Sequence, residues 1–126
     1  MKVEIKCDYN STKKQFLLDY NMAFFDENLD FLKAHSASDI QWNIIGNEMI
    51  TGSNALCAAV KGMSEFPPQS LVIHQIITHG KEAVLLGEMI MDADNKYEFC
   101  DAYEFVSAGK QVIKKIKSFI IKVQAS

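Results

Sequence analysis

The chain is 126 residues long, 48% of them hydrophobic, with a formal net charge of -3 from 16 acidic and 13 basic residues. That length fits one domain, here residues 1–126, with a core that needs no staples, and the hydrophobic share excludes a disordered chain. A mildly acidic chain lacks the basic footprint that neutralises phosphates, so nucleic acid is not expected as a partner.

All 13 basic residues are lysine. Arginine supplies the planar fork that recognises phosphate and carboxylate groups in dry sites, so its absence argues against a nucleotide or dicarboxylate ligand. A coding sequence favouring Lys, Asn and Ile would produce the same absence. Cys7, Cys57 and Cys100 are odd in number and far apart, which reads as free thiols in a reducing compartment. The start, MKVEIKCDYN, has no apolar leader core, and no apolar run reaches the length of a membrane span. The expectation is therefore a cytoplasmic protein with no membrane partner.

In chain order, Thr12 and Gln15 have capping-box spacing, and Phe16, Tyr20, Ala23 and Phe24 follow at helical intervals. Asp26 or Asn28 can cap a shorter helix carrying Leu29 and Leu32 and ending near Lys33 and His35. Ile40, Trp42 and Ile44 alternate as a strand before a turn at Gly46-Asn47. Thr51-Gly52-Ser53 opens a third helix with Leu56, Ala59, Val60 and Met63, which Pro67-Pro68 closes. Four long strands then follow, Leu71–Thr78, Ala83–Asp92, Tyr97–Val106 and Val112–Val123, joined by short turns. They predict an antiparallel meander covered by the preceding helices, an α+β fold with a cavity inside.

The segment Tyr97 to Phe105 is the most informative. Tyr97, Phe99, Asp101, Tyr103 and Phe105 share one strand face. Four aromatic residues mark that face as buried, so Asp101 must be hydrogen-bonded, paired or protonated, and without a cation its pKa should rise. A structural acid held by a Trp, Tyr or backbone donor satisfies the same constraint as a functional acid in a pocket. Trp42, Phe16, Phe24 and Phe31 read as core. His74, with a side chain that titrates near neutrality, shares a simple strand face with Val72, Ile76 and Thr78 and would point inward as a general base. No HExxH, CxxC, phosphate-binding glycine loop or GxSxG elbow occurs, and the three histidines lack ligand spacing, so neither a metal nor a cofactor is expected. Lysines 110, 114, 115, 117 and 122 on the last strand read as protection of an edge or exposed face.

The order helix, helix, strand, helix, meander resembles the nuclear transport factor 2-like superfamily, in its SnoaL-like and ketosteroid-isomerase-like branch. Asp39 to Gly46 through Ile50-Thr51-Gly52 resembles that branch's strand–turn–glycine–helix segment. ITHGKEA (Ile77 to Ala83) followed by FCDAYEF resembles small bacterial members. The resemblance implies a cone-shaped α+β barrel, three N-terminal helices packed in a curved, mostly antiparallel sheet. It also implies a single SnoaL-like domain and a homodimer paired through the outer sheet face. Ketosteroid isomerases use a general-base Asp and an oxyanion hole made of a Tyr and a protonated Asp. Asp101 matches that oxyanion-hole aspartate and Tyr20 the tyrosine, while Asn43 stands at the base position, where an amide cannot shuttle a proton. The resemblance thus implies a small apolar ligand with a carbonyl or hydroxyl group. Asp101, Tyr20 and His74 would do any isomerase, cyclase or dehydratase chemistry, with Asn43, Trp42, Phe99 and Tyr103 as substrate-binding residues. A non-catalytic ligand-binding or dimerisation module fits the same residues.

Overall fold

The computed structural model describes residues 1–124; the last two residues of the expected domain lie outside it. Its elements are β1 (Lys2–Ile5), α1 (Thr12–Asp26), α2 (Leu29–Ala34), β2 (Ser36–Ile44), β3 (Met49–Thr51) and α3 (Ser53–Val60). A 3-10 turn at Met63–Glu65 leads to β4 (Ser70–His79), β5 (Glu82–Asp92), β6 (Asn95–Phe105) and β7 (Ile113–Val123). The seven strands form one sheet in the order β1-β4-β5-β6-β7-β2-β3. The β4–β7 meander is antiparallel, whereas β1 joins β4 and β2 joins β7 in parallel. The sheet is therefore mixed, and β1 precedes the helices that were expected to open the chain. With four residues, all exposed, β1 has no buried face to write a period into the sequence. Backbone bonds such as Lys6 N–H to Ile73 C=O hold it, at 2.8 Å, along the β4 edge.

Capping departs from the sequence pattern in detail. Ser11, not Thr12, caps α1, its hydroxyl accepting from Lys14 N–H at 3.1 Å. Asn28 caps α2 through Phe31 N–H. The third helix stops at Val60 and leaves Met63 in the 3-10 turn. At the end of α1, Glu27 adopts a left-handed conformation with φ 54°, the single non-glycine residue to do so among those described. Its carboxylate accepts a hydrogen bond from Gly62 N–H, which ties the chain after α3 to the end of α1.

The core fills the space between the helices and the concave sheet face. Leu17, Tyr20, Leu32, Leu56, Leu71, Ile73, Leu85 and Phe105 are fully enclosed there. A bulge in β4 between Ile73 and Gln75 resets which residues face inward. Leu71 and Ile73 are buried before it and Ile76 after it, while His74 and Gln75 are both exposed. One extra residue in a strand leaves the alternation out of phase on its far side. His74 therefore points outward and hydrogen-bonds Glu88, which corrects the inward orientation expected from unbroken alternation. Lys96 also pairs with Glu88, at 2.6 Å, and the bonds from Lys96 and then His74 hold that carboxyl below its ordinary range.

Gly87 sits opposite Phe99 in the β5–β6 ladder, and the Phe99 ring lies across it. A Cβ at Gly87 would meet Val72 C=O at 2.5 Å and the Phe99 ring at 2.7 Å. The ring can rotate away but the carbonyl belongs to the sheet. Gly87→Ala should therefore cost about 1–3 kcal/mol by overpacking, read as a lower urea midpoint. An unchanged midpoint would show that β4 and β5 separate more easily than their ladder suggests.

Candidate functional site

A cavity of about 100 Å³ opens between α1, the 3-10 turn and the concave faces of β2, β5, β6 and β7. The hydrophobic side chains of its wall include Phe24, Phe25, Trp42, Met63, Met89 and Phe99. Asn21, Asp101, Tyr103 and Ser118 are the polar and ionisable side chains set into it, with the indole N–H of Trp42. Strand pairing gathers these groups: Asp101 is opposite Ser118 across β6–β7, and Trp42 is opposite Ile116 across β2–β7. Residues two apart then share a face, which puts Phe99 and Tyr103 on either side of Asp101.

The hydrogen bonds have a fixed direction. An indole nitrogen only donates, so Trp42 Nε1–H donates to Ser118 Oγ at 2.9 Å. Ser118 then spends its one hydrogen on Asp101 Oδ1, at 2.6 Å. Tyr103 O–H reaches Asp101 Oδ2 at a long 3.5 Å. With Oδ1 already accepting, the arrangement that uses every hydrogen puts an added proton on Oδ2. The carboxyl then offers its own hydrogen, and Tyr103, whose contact with Oδ2 is long, can turn its one hydrogen from Asp101 to an acceptor beside it.

Burial pushes the Asp101 carboxyl up to about 6, and the hydrogen bonds from Ser118 and Tyr103 restrain it from rising further. Burial, and next the nearby carboxyl, raise Tyr103 well above the ordinary phenol value, so it remains a neutral donor. Asn21 is only 4% exposed, yet its Oδ1 has no hydrogen-bond partner. Buried polar atoms are nearly always paired, and unpaired ones concentrate where a ligand or water completes them.

The other expected site residues lie elsewhere. Tyr20 is fully enclosed and its hydroxyl shares a 2.6 Å hydrogen bond with Ser36 Oγ. Its ring is 6.0 Å from that of Tyr103, edge to face, but it does not reach the cavity wall. The phenol beside Asp101 is Tyr103, two residues along the same strand. Asn43 alternates with the inward-facing Trp42 and so turns away from the cavity, and His74 is on the outer face. The geometry thus brings together Asp101, Tyr103, Phe99 and Trp42 and leaves out Tyr20, Asn43 and His74. It adds Ser118 and Asn21. Ser118 interrupts the inward stripe Ile116–Ser118–Ile120, and Asn21 interrupts the helical stripe Leu17–Asn21–Phe24. A polar residue in phase with an apolar stripe was the available signal for both.

The raised carboxyl has a stability consequence with a definite sign. Between about pH 4 and 6 the folded chain binds more protons at Asp101 than the unfolded chain, so stability falls as pH rises through that window. From the ordinary carboxyl value to about 6, the loss amounts to at most about 3 kcal/mol. Urea unfolding across this range should show the wild type losing that increment relative to Asp101→Asn. Carbon-13 NMR should place the Asp101 midpoint near 6, and Ser118→Ala should move it higher by removing a donor to the carboxylate. A midpoint at the ordinary value would mean that the cavity is wet.

No family model matches the chain, and no curated protein does. Solved structures do. A nuclear transport factor 2-like protein from Cytophaga hutchinsonii superposes with a TM-score of 0.66 at 21% identity, covering 85% of this chain and 97% of that one. A putative ketosteroid isomerase from Kribbella flavida gives a TM-score of 0.71 at 14% identity, with 90% and 81% covered. An LEH-like epoxide hydrolase of M. tuberculosis gives 0.69 at 15% identity, with 85% and 76% covered. At these identities the likeness speaks for architecture: the chain has the nuclear transport factor 2-like fold.

Proposed function

We propose that the chain is a single small-molecule-binding domain that holds a small, mostly apolar ligand by a carbonyl or hydroxyl oxygen. The observation that carries this is the directed chain Trp42–Ser118–Asp101 ending in a cavity wall that is otherwise nearly apolar. Asp101 Oδ2–H and Tyr103 O–H are the two donors to the ligand oxygen. A ligand that expels water from the cavity drives the carboxyl further toward its neutral, donating form. The similarity to a structure described as a putative ketosteroid isomerase agrees with an oxygen-bearing apolar ligand.

One observation favours a second reading, in which the domain is an isomerase-type enzyme. A carboxyl whose pKa lies near 6 is poised to both take and return a proton near neutral pH. Asp101 would then serve as the proton-transfer group itself, with Tyr103 polarising the oxygen. Both readings can be followed with 2-butanone in heavy water. Binding should be tightest below pH 6 and weaken about three- to tenfold in Asp101→Leu or Tyr103→Phe, the range for one hydrogen bond. Binding that ignores both substitutions counts against the oxygen clamp. Exchange of the ketone's α-hydrogens, rising through pH 6 and abolished in Asp101→Asn, marks the enzyme; binding without exchange marks the binding module.

The outer sheet face supports pairing with a second copy. Phe119 and Ile121 are exposed there on β7, beside Leu86 and Cys100, and an exposed apolar patch on a sheet calls for a cover. Sedimentation should find a dimer that Phe119→Lys shifts to monomer; a monomeric wild type would refute the pairing.

A further inference from the structure

The cavity is too small to hold a sizeable ligand whole. An engineered protein cavity of about 150 Å³ accommodates one benzene ring, and this one measures about 100 Å³. It adjoins a second, more open apolar groove of about 340 Å³. Phe25, Met63, Met89 and Ile120 line both spaces, so the two meet at these four side chains. Beyond those four residues the groove runs over Phe66, Met91 and Tyr97. Phe66 is 77% exposed and Met63 42% exposed, an arrangement the protein's own core does not explain. Three of the groove's side chains are methionines, unbranched and adaptable, which suit a flexible occupant better than a rigid ring system. The Glu27–Gly62 hydrogen bond anchors the segment that carries Met63 and Phe66.

We infer that the ligand is a straight-chain amphiphile: a neutral oxygen head of a few atoms in the inner cavity, with an unbranched alkyl tail along the Met63–Phe66–Met91 groove. This rests on the oxygen-clamp reading above and adds the tail to it. The head is neutral because the residues lining the cavity include a carboxyl and no cation. A fatty acid would carry a carboxylate into a cavity lined by no cation, and burying an unbalanced charge is costly. A methyl ketone or a long-chain alcohol meets both the donor pair and the groove.

The test uses 2-alkanones from butanone to decanone at pH 5, with the chain's one tryptophan as reporter, since Trp42 lines the inner cavity. The dissociation constant should fall about fourfold per added methylene, the transfer value for a buried CH2, and level off when the groove is full. The double variant Phe66→Ser, Met91→Ser, whose positions line only the groove, should flatten that slope and leave butanone binding unchanged. Affinity independent of chain length, or a slope the double variant preserves, overturns the tail. 1-Octanesulfonate, charged at any pH used, binding as tightly as 2-nonanone overturns the neutral head. If instead the slope survives and Asp101→Leu binds the whole series as the wild type does, the oxygen clamp fails while the groove stands. The failures of the two readings are thus distinguishable.

Discussion

A carboxyl group set into an apolar wall has to be held by something, and the way this chain holds Asp101 organises everything around it. A carboxylate left unpaired there would cost several kcal/mol. In place of a cation the fold supplies a hydrogen from Ser118, and Ser118 in turn is fixed by the indole of Trp42. The chain of donors crosses three adjacent strands, β2, β7 and β6, so it exists only if all three pair in the register observed. Slipping β7 by one residue would replace Ser118 opposite Asp101 with Lys117 or Phe119. The polar chain therefore specifies the sheet, as much as the sheet positions the chain.

Placing polar groups in an apolar wall trades stability for a fixed set of donors and acceptors. Ser118 restrains the Asp101 pKa without returning it to its ordinary value, because one hydroxyl stabilises a carboxylate far less than bulk water does. Asn21 carries the same trade further, with an acceptor that nothing in the fold satisfies. A core optimised for stability alone would place leucine at both positions 21 and 118. The buried Tyr20–Ser36 pair satisfies itself, whereas this wall keeps an acceptor unpaired, a local departure of the kind expected at functional sites.

Much of the architecture was legible in the sequence, and the part that was not has a common cause. Strands β4 to β7 are long, alternate clearly and are separated by glycine or Asx turns, so their pattern outweighs local noise. The face of Asp101 followed from the same alternation, since β6 runs without a bulge from Lys96 to Glu104. The misplacement of His74 came from the bulge at Ile73–Gln75, which adds one residue and leaves no signature in composition. The misplacement of Asn43 came from the resemblance, which pointed to it while Trp42, its neighbour, held the inward position. The same resemblance pairs Tyr20 with Asp101, but the buried Tyr20 hydroxyl is held by Ser36, sixteen residues away. Each miss concerns which of two adjacent or equivalent groups faces the cavity, a choice made by register and tertiary pairing.

That distinction also governs how far the fold can be carried toward chemistry. The helices and the sheet enclose a cavity whatever lines it, and one fold hosts many functions. Here Phe24, Trp42 and Phe99 line a small inner cavity that meets the outer groove at Met63, Met89 and Ile120. Asp101 and Tyr103 line the inner cavity and not the groove, whose lining is apolar but for the Tyr97 hydroxyl, so polarity is ordered from one space to the other. On the proposed reading a ligand presents its oxygen first and leaves its hydrocarbon behind. Selectivity then rests less on the acid, which any oxygen acceptor would satisfy, than on the aromatic side chains that share the small cavity with it.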